Sequence, residues 1–368
     1  MKAPSLTLGI EEEYQVVHPE TGELTSFITE ILEGDDEETR EQIHPELHQA
    51  CVETASEVCR DVAEAREEVL RMRRLVSGTV AEKGLAIVAA GTHPFSTWEQ
   101  QDITPLDRYV GLREDLQQVA ERNLIFGTHI HVGIEDRDFM IDAMNVSRYF
   151  LPHLLALSTS SPFWEGSKTG LHSYRSIIWR NFPRTGIPMS FGSWNEYEHF
   201  IQTMVRSNTI PDSSKIWWDV RPNHKFPTLE FRVCDMCTRV EEVVCIAAIF
   251  QGIVAKLWKL RRDNLTFRQY PEVLLAENKW RAARYGLTGK LIDFGRQSEH
   301  PASDLIIEIV EWFLDDVVDE LGTRAEVEYA LRILREGSSS QRQIAVYEET
   351  GDTRAVVRHL MAETLEGV

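Results

Sequence analysis

The stretch Leu8-Gly9-Ile10-Glu11-Glu12-Glu13-Tyr14 carries the first of three polar pairs spaced two residues apart. The second lies in Gly127-Thr128-His129-Ile130-His131-Val132-Gly133 and the third in Thr228-Leu229-Glu230-Phe231-Arg232-Val233. In each stretch apolar residues alternate with the polar ones, the period of a half-buried strand. Strand side chains alternate faces, so Glu11 with Glu13, His129 with His131, and Glu230 with Arg232 each project from one side of a sheet. A sheet face that only packed a core would be apolar at those positions. Three such pairs on one face would suit a divalent metal and phosphate, and so point to an enzyme.

Outward from these strands the first half reads as strands alternating with helices. Residues 6–17 and 124–134 are predicted strands, 85–90 is a buried strand closed by Gly91, and 47–58 fits strand or helix equally. Residues 62–81 carry Val62, Ala65, Val69, Met72 and Val76 at helical spacing. Helices are also predicted over 106–123, 140–157 and 194–205, and a charge-rich loop or short helix over 33–41. Residues 158–192 form a long irregular stretch rich in Ser, Gly, Pro and aromatic residues, and loops of this length are commonly functional. Residues 215–220 and 228–233 are predicted to pair as a hairpin around 221–227. Everything after Arg239 is helical in pattern, including 241–260, 303–321 and 324–335. About six strands followed by a helical C-terminal third predict an α+β fold, with residues 1–368 as a single domain.

The net charge of -20 argues against non-specific nucleic-acid binding and against an anionic membrane surface. The longest apolar stretch, residues 243–257, is interrupted by Gln251, Gly252 and Lys256 and is too short to span a bilayer. Residues 6–10 run straight into three glutamates, unlike a secretory signal. Five cysteines, an odd and sparse set, predict reduced thiols and a cytoplasmic setting. Small-molecule substrates are the expected partners, with no nucleic acid and no membrane.

Two adjacent carboxylates repel unless a cation neutralises them, which makes Glu11 and Glu13 candidate metal ligands; a solvated edge strand would carry them too. Paired histidines on one strand face, His129 and His131, suit a metal site, or one packs while the other hydrogen-bonds. Arg232 beside Glu230 suits an anion, because guanidinium binds phosphate bidentately, although a surface ion pair would look the same. Glu53, among small and apolar neighbours, is a candidate site-facing carboxylate. The loop from Gly170 to Arg175 and on through Trp179, Arg180 and Asn181 interleaves bases with aromatics and could clamp an anionic ligand. Cys234 and Cys237 cannot close a structural zinc site alone, and no second cysteine pair exists. There is no Gly-x-x-x-x-Gly-Lys-Ser/Thr loop and no Gly-x-Gly-x-x-Gly, so any ATP is bound without a P-loop or Rossmann crevice.

Five motifs occur in order: residues 9–13, Gly91-Thr92-His93-Pro94-Phe95, residues 127–133, Trp218-Asp219-Val220-Arg221-Pro222, and residues 229–235. Together they resemble the second type of glutamate–cysteine ligase, the carboxylate–amine ligase family, from about Leu6 to the C-terminus. The resemblance implies a glutamine-synthetase-like fold, a curved and mainly antiparallel six-stranded sheet flanked by helices, forming one catalytic domain. It implies ATP and Mg²⁺ or Mn²⁺. By its motifs Glu11, Glu13, Glu53, His129 and Glu230 would hold metal, while Arg232 and His131 would contact the nucleotide. Arg232, Glu230 and Arg175 would serve catalysis, Arg175 as a substrate-loop arginine. ATP would phosphorylate a carboxylate, the γ-carboxylate if the substrate is glutamate, and an amine such as cysteine would attack the acyl phosphate. A homodimer is compatible with this reading. Two alternatives stay open: a metal-dependent hydrolase using His129 and His131, and a non-catalytic nucleotide-binding relative.

Overall fold

The computed structural model describes residues 2–29 and 42–368; the expected loop or helix at 33–41 lies outside them. Among the described residues one antiparallel sheet of seven strands organises the chain. Its strands are β1 (Leu8–Val17), β2 (Ile43–Pro45), β3 (Cys51–Ala55), β4 (Ala86–Val88), β5 (Thr128–Gly133), β6 (Val220–Pro222) and β7 (Thr228–Phe231). Their order is β6-β7-β5-β1-β3-β2, with β4 paired to β1. β1 is central because it is long. Residues 8–12 pair with β5, residues 11–15 with β3, and residues 15–17 with β4. Within the ambiguous stretch at 47–58, Cys51–Ala55 is strand and the rest is neither strand nor helix. The strand beyond the expected six is β2, whose three residues are too few to show alternation and which places Pro45 at the sheet edge.

Alternation divides β1 as its sequence predicts. Leu8, Ile10 and Tyr14 are buried with Ile130, Val132, Leu229 and Phe231 against helices. Helix α1 (Val62–Ala81) presents Val62, Ala65, Val69 and Met72 to this face. Helix α5 (Val240–Arg262) stacks Phe250 on Phe231 with ring centroids 4.0 Å apart. That helix has 23 residues and is long and apolar enough to cross a bilayer, contrary to the expectation from 243–257; 78% of its apolar window is enclosed by the protein. Glu12 points into the same core and is neutralised there. Arg73 on α1 donates to its Oε1 at 2.5 Å, and the Tyr14 hydroxyl donates to its Oε2 at 2.5 Å.

Several predicted helices are interrupted. Gln117, at φ 52°, splits 106–123 into Asp107–Leu116 and Gln118–Glu121. The stretch 140–157 becomes α2 (Arg137–Ser147) and α3 (Leu151–Ser158), with Pro152 in the first turn of α3, where a missing N–H costs nothing. The irregular stretch 158–192 contains one short helix, α4 (Arg175–Trp179). The hairpin is β6–β7, but its first strand is Val220–Pro222 and not the expected 215–220, so Arg221 and Pro222 belong to a strand. Trp217–Trp218 pairs instead with Thr185–Gly186, in parallel. The C-terminal third also contains a hairpin, Lys290–Asp293 with Ser298–Pro301, that its helical pattern concealed.

Candidate active site

The face of the sheet opposite α1 and α5 opens into a cleft of about 510 Å³. Period-2 alternation delivers Glu11, Glu13, Glu53, His129 and Glu230 to it from four strands, and Arg232 follows one residue beyond β7. Register decides which of them meet. Glu11 lies opposite His129, Glu13 opposite Glu53, and Glu230 opposite His131.

Two groups result. In the first, Glu11, His131 and Glu230 each offer a ligand atom, and these atoms all lie within 4.8 Å of one another. His131 Nε2 is 3.2 Å from Glu11 Oε1, and His129 Nδ1 is 3.0 Å from Glu11 Oε2. Burial alone would raise the Glu11 pKa, but the two histidines outweigh it and hold the carboxyl well below its usual range. Glu230 is 1% exposed. Burial again opposes its charge, and Arg232 and Arg221 overcome that, keeping it ionised. Arg221 donates from Nε to Oε2 at 3.0 Å and from Nη2 to Oε1 at 3.1 Å, Asn223 donates to Oε2 at 2.8 Å, and Arg232 donates to Oε1.

The second group is Glu13, Glu53 and Glu46, which follows β2 directly. Burial and then Glu46 push the Glu13 carboxyl from 4.5 up to about 7, although Arg175 and Arg232 pull the other way. Burial, then Glu11, Glu46 and Glu13, push Glu53 well above its usual range. Crowded carboxylates that resist ionisation are what an added cation would relieve. His129 stands between the groups. Its Nε2 is 3.9 Å from Glu13 Oε1 and has no hydrogen-bond partner, and burial followed by Arg232 lowers its pKa to about 4, leaving a neutral imidazole able to ligate. Carboxylate oxygens suit hard divalent ions such as Mg²⁺ or Mn²⁺, while the imidazole nitrogens also suit softer ones such as Fe²⁺ or Zn²⁺.

Arg232 lies with its guanidinium 5.8 Å from the Trp179 ring centroid, and its Nη1 is 3.4 Å from His129 Nδ1. Arg175 opens α4, is 4% exposed and lines the same cleft. Gly127 makes this possible: a Cβ there would stand 2.3 Å from Arg175 Nη2. The other loop residues diverge. His172 turns to Ser340, 2.8 Å away, and Arg180 lines a separate depression behind α4. Cys234 and Cys237 are buried at 1% exposure, and burial pushes the Cys234 thiol up to about 12, so neither offers a ready thiolate.

The sequence pattern of glutamate–cysteine ligase family 2 matches residues 7–359. This chain belongs to that family. Similar family members include a provisionally named glutamate–cysteine ligase 2 of Herpetosiphon aurantiacus, 55% identical over 98% of this chain and 94% of that protein. Another, from Solibacter usitatus, is 50% identical over 99% of this chain and 95% of that protein. Among solved structures, a glutamate–cysteine ligase of Francisella tularensis in complex with AMP superimposes with TM-score 0.75 at 12% identity, covering 99% of this chain and 90% of that one. A bifunctional glutathione synthetase of Pasteurella multocida gives TM-score 0.72 at 15% identity over 98% of this chain; this chain spans about half of that enzyme, 52%. At such identities the two structures establish a shared fold, an antiparallel sheet flanked by helices. This is not the repeating β/α barrel that would have favoured a hydrolase reading of His129 and His131.

The family motifs did not single out Glu46, Asn223 or the contact of Arg221 with Glu230. Arg221 sits within a motif, but its partner follows only from the β6–β7 register. Glu46 meets Glu53 because the chain turns back between β2 and β3.

The second group has a pH signature. The folded pKa of Glu13 is above its ordinary value, so between 4.5 and about 7 the folded protein keeps a proton that the unfolded chain has released. Stability therefore falls as pH rises through that window. A divalent ion on these carboxylates would remove the penalty. Mg²⁺ or Mn²⁺ at about 100 times Kd should raise Tm by roughly 3–4 °C above this window. The rise should be smaller at the acid end, where protons compete. Melts at both pH values check this, and equal shifts would remove Glu13 and Glu53 from the ligand set.

Proposed function

We propose that this protein is an ATP-dependent carboxylate–amine ligase, joining the γ-carboxylate of glutamate to an amine such as cysteine through an acyl phosphate. The observation that carries the reading is the trio of half-buried Glu11 with buried His131 and Glu230, flanked by Arg221 and Arg232 on the sheet face of a glutamate–cysteine ligase family member. Such a set suits several anionic groups held close together. The bound AMP of the Francisella tularensis enzyme supports a nucleotide for this fold.

Glu11, His131 and Glu230 would hold one Mg²⁺ or Mn²⁺, and Glu13, Glu46 and Glu53, with His129, a second. Bound there, such ions would neutralise phosphate oxygens and offset charge in the transfer. In the first step a carboxylate oxygen of glutamate attacks the γ-phosphorus of ATP and the bond to ADP breaks. In the second the amine nitrogen attacks the acyl carbon, inorganic phosphate leaves with its bonding pair, and the nitrogen gives up a proton. Arg232, oriented by Glu230 and Trp179, donates to the transferring phosphoryl group. Arg175, whose Nη2 lies 3.5 Å from the Arg232 carbonyl, orients the anionic substrate beside it.

Incubation with ATP, Mg²⁺, glutamate and a panel of amines, followed by phosphate release, tests the reading. Release that requires both glutamate and an amine is the expected result. ATP binding with no release under any pairing would instead favour a non-catalytic relative. Arg232→Lys retains the charge and loses the planar fork. Its kcat should fall roughly tenfold or more, with a smaller change in ATP affinity. Unchanged kcat with much weaker ATP binding would assign Arg232 to ground-state binding.

A further inference from the structure

Asp235 is fully buried and lies outside the cleft, yet it organises the segment that delivers Arg175. Its Oδ2 accepts from the Ser160 backbone N–H at 3.0 Å and from the Ser161 hydroxyl at 2.7 Å. Its Oδ1 accepts from the Ser173 hydroxyl at 2.7 Å. The two serines then serve the start of α4. Ser161 Oγ accepts from the Arg175 N–H at 3.0 Å, and Ser173 Oγ accepts from the Ser176 N–H at 3.3 Å. A hydroxyl has one hydrogen. Because Ser161 donates it to Asp235, its oxygen is left facing Arg175 as an acceptor.

Asp235 also forms an antiparallel bridge with Gly127, the residue whose missing side chain admits the Arg175 guanidinium and whose N–H donates to Glu13. Gly91 leaves room on the other side: a Cβ there would stand 2.9 Å from Asp235 Cγ. Two motif glycines with no chemistry of their own thus serve one arrangement, Gly91 making space for the carboxylate and Gly127 for the arginine it places.

We propose that Asp235 is a positioning residue for Arg175, clamping both ends of the 161–173 segment through Ser161 and Ser173 so that α4 starts where its guanidinium enters the cleft. The kinetic consequence rests on the ligase reading; the placement of Arg175 does not.

The test uses Asp235→Asn, which turns one acceptor into a donor, and Ser161→Ala, which leaves the carboxylate in place. Phenylglyoxal labelling of Arg175, followed by peptide mass, reads placement without turnover. Arg175 should label severalfold faster in both variants, whereas Arg148, buried elsewhere and held by Pro188 and Ser190, should not. Unchanged Arg175 labelling in both variants, or an equal rise at Arg148, overturns the proposal, the latter because it reports general loosening. In the ligation assay each variant should lose about tenfold in kcat, from displacement of one positioned group. That loss should largely vanish in an Arg175→Ala background. Additive losses in this cycle overturn the proposal. If the wild-type protein turns over no amine, the ligase reading fails, and the labelling still decides the role of Asp235.

Discussion

Glu230→Gln should lower ATP-dependent turnover at least about a hundredfold, the scale of losing a positioned electrostatic group at a transferring phosphoryl. Glu230 is the convergence point of the first group: it shares the trio with Glu11 and His131 and accepts from Arg221, Arg232 and Asn223. Gln keeps the shape but removes the charge, so a cation loses a hard ligand and two guanidiniums lose their counter-ion. A carboxylate read from the sequence as a site residue would be expected to leave the fold almost untouched when replaced. Its burial changes that expectation. Weakening charge-assisted hydrogen bonds in a closed environment should cost roughly 1.5–3 kcal/mol of stability. Turnover at saturating Mg²⁺ and a denaturant titration separate the two effects. A folded variant with wild-type turnover would exclude Glu230 from the metal set.

The second large effect is on stability and lies on the other face of the same sheet, at Glu12 of β1. Arg73→Ala should cost about 3–5 kcal/mol, because it leaves Glu12 as a buried charge without its cation. Arg73 has no exposed surface and donates to Glu12, to the carbonyls of Thr238 and Thr364 from Nη1, and to the Cys237 carbonyl from Nη2. It therefore ties β1 to the segment after β7 and to the end of the last helix, Thr353–Thr364. Because Glu11 and Glu13 flank Glu12, loosening this tie should also reduce turnover. Urea denaturation measures the loss. Arg73→Met with Glu12→Gln, which removes both charges, should lose less than Arg73→Ala alone, and an equal loss would show that the carbonyl contacts, not the ion pair, dominate.

Local periodicity carried far in this chain. Period 2 placed Glu11, Glu13, His129, His131, Glu230 and Arg232 on one face because a strand has only two faces to choose from. Spacing of 3.6 placed helix α1 over residues 62–81 for the same kind of reason. Breaks were less visible. Nothing local in Gln117 marks its positive φ, and residues 290–301 form a hairpin where the surrounding pattern is helical.

What belongs to the sequence alone is the chemistry offered to each face: acids, histidines and an arginine toward the cleft, aliphatic and aromatic side chains toward the helices. Which of those groups meet is a property of pairing between segments far apart in the chain. Antiparallel register put Glu230 opposite Arg221, and the chain reversal after β2 brought Glu46 to Glu53. Tertiary packing alone supplied Arg73 to Glu12 and Asp235 to the serines behind Arg175. A charge buried on one element is tolerable only when a distant element returns its counter-ion or its donors, and no local pattern encodes where that partner will come from.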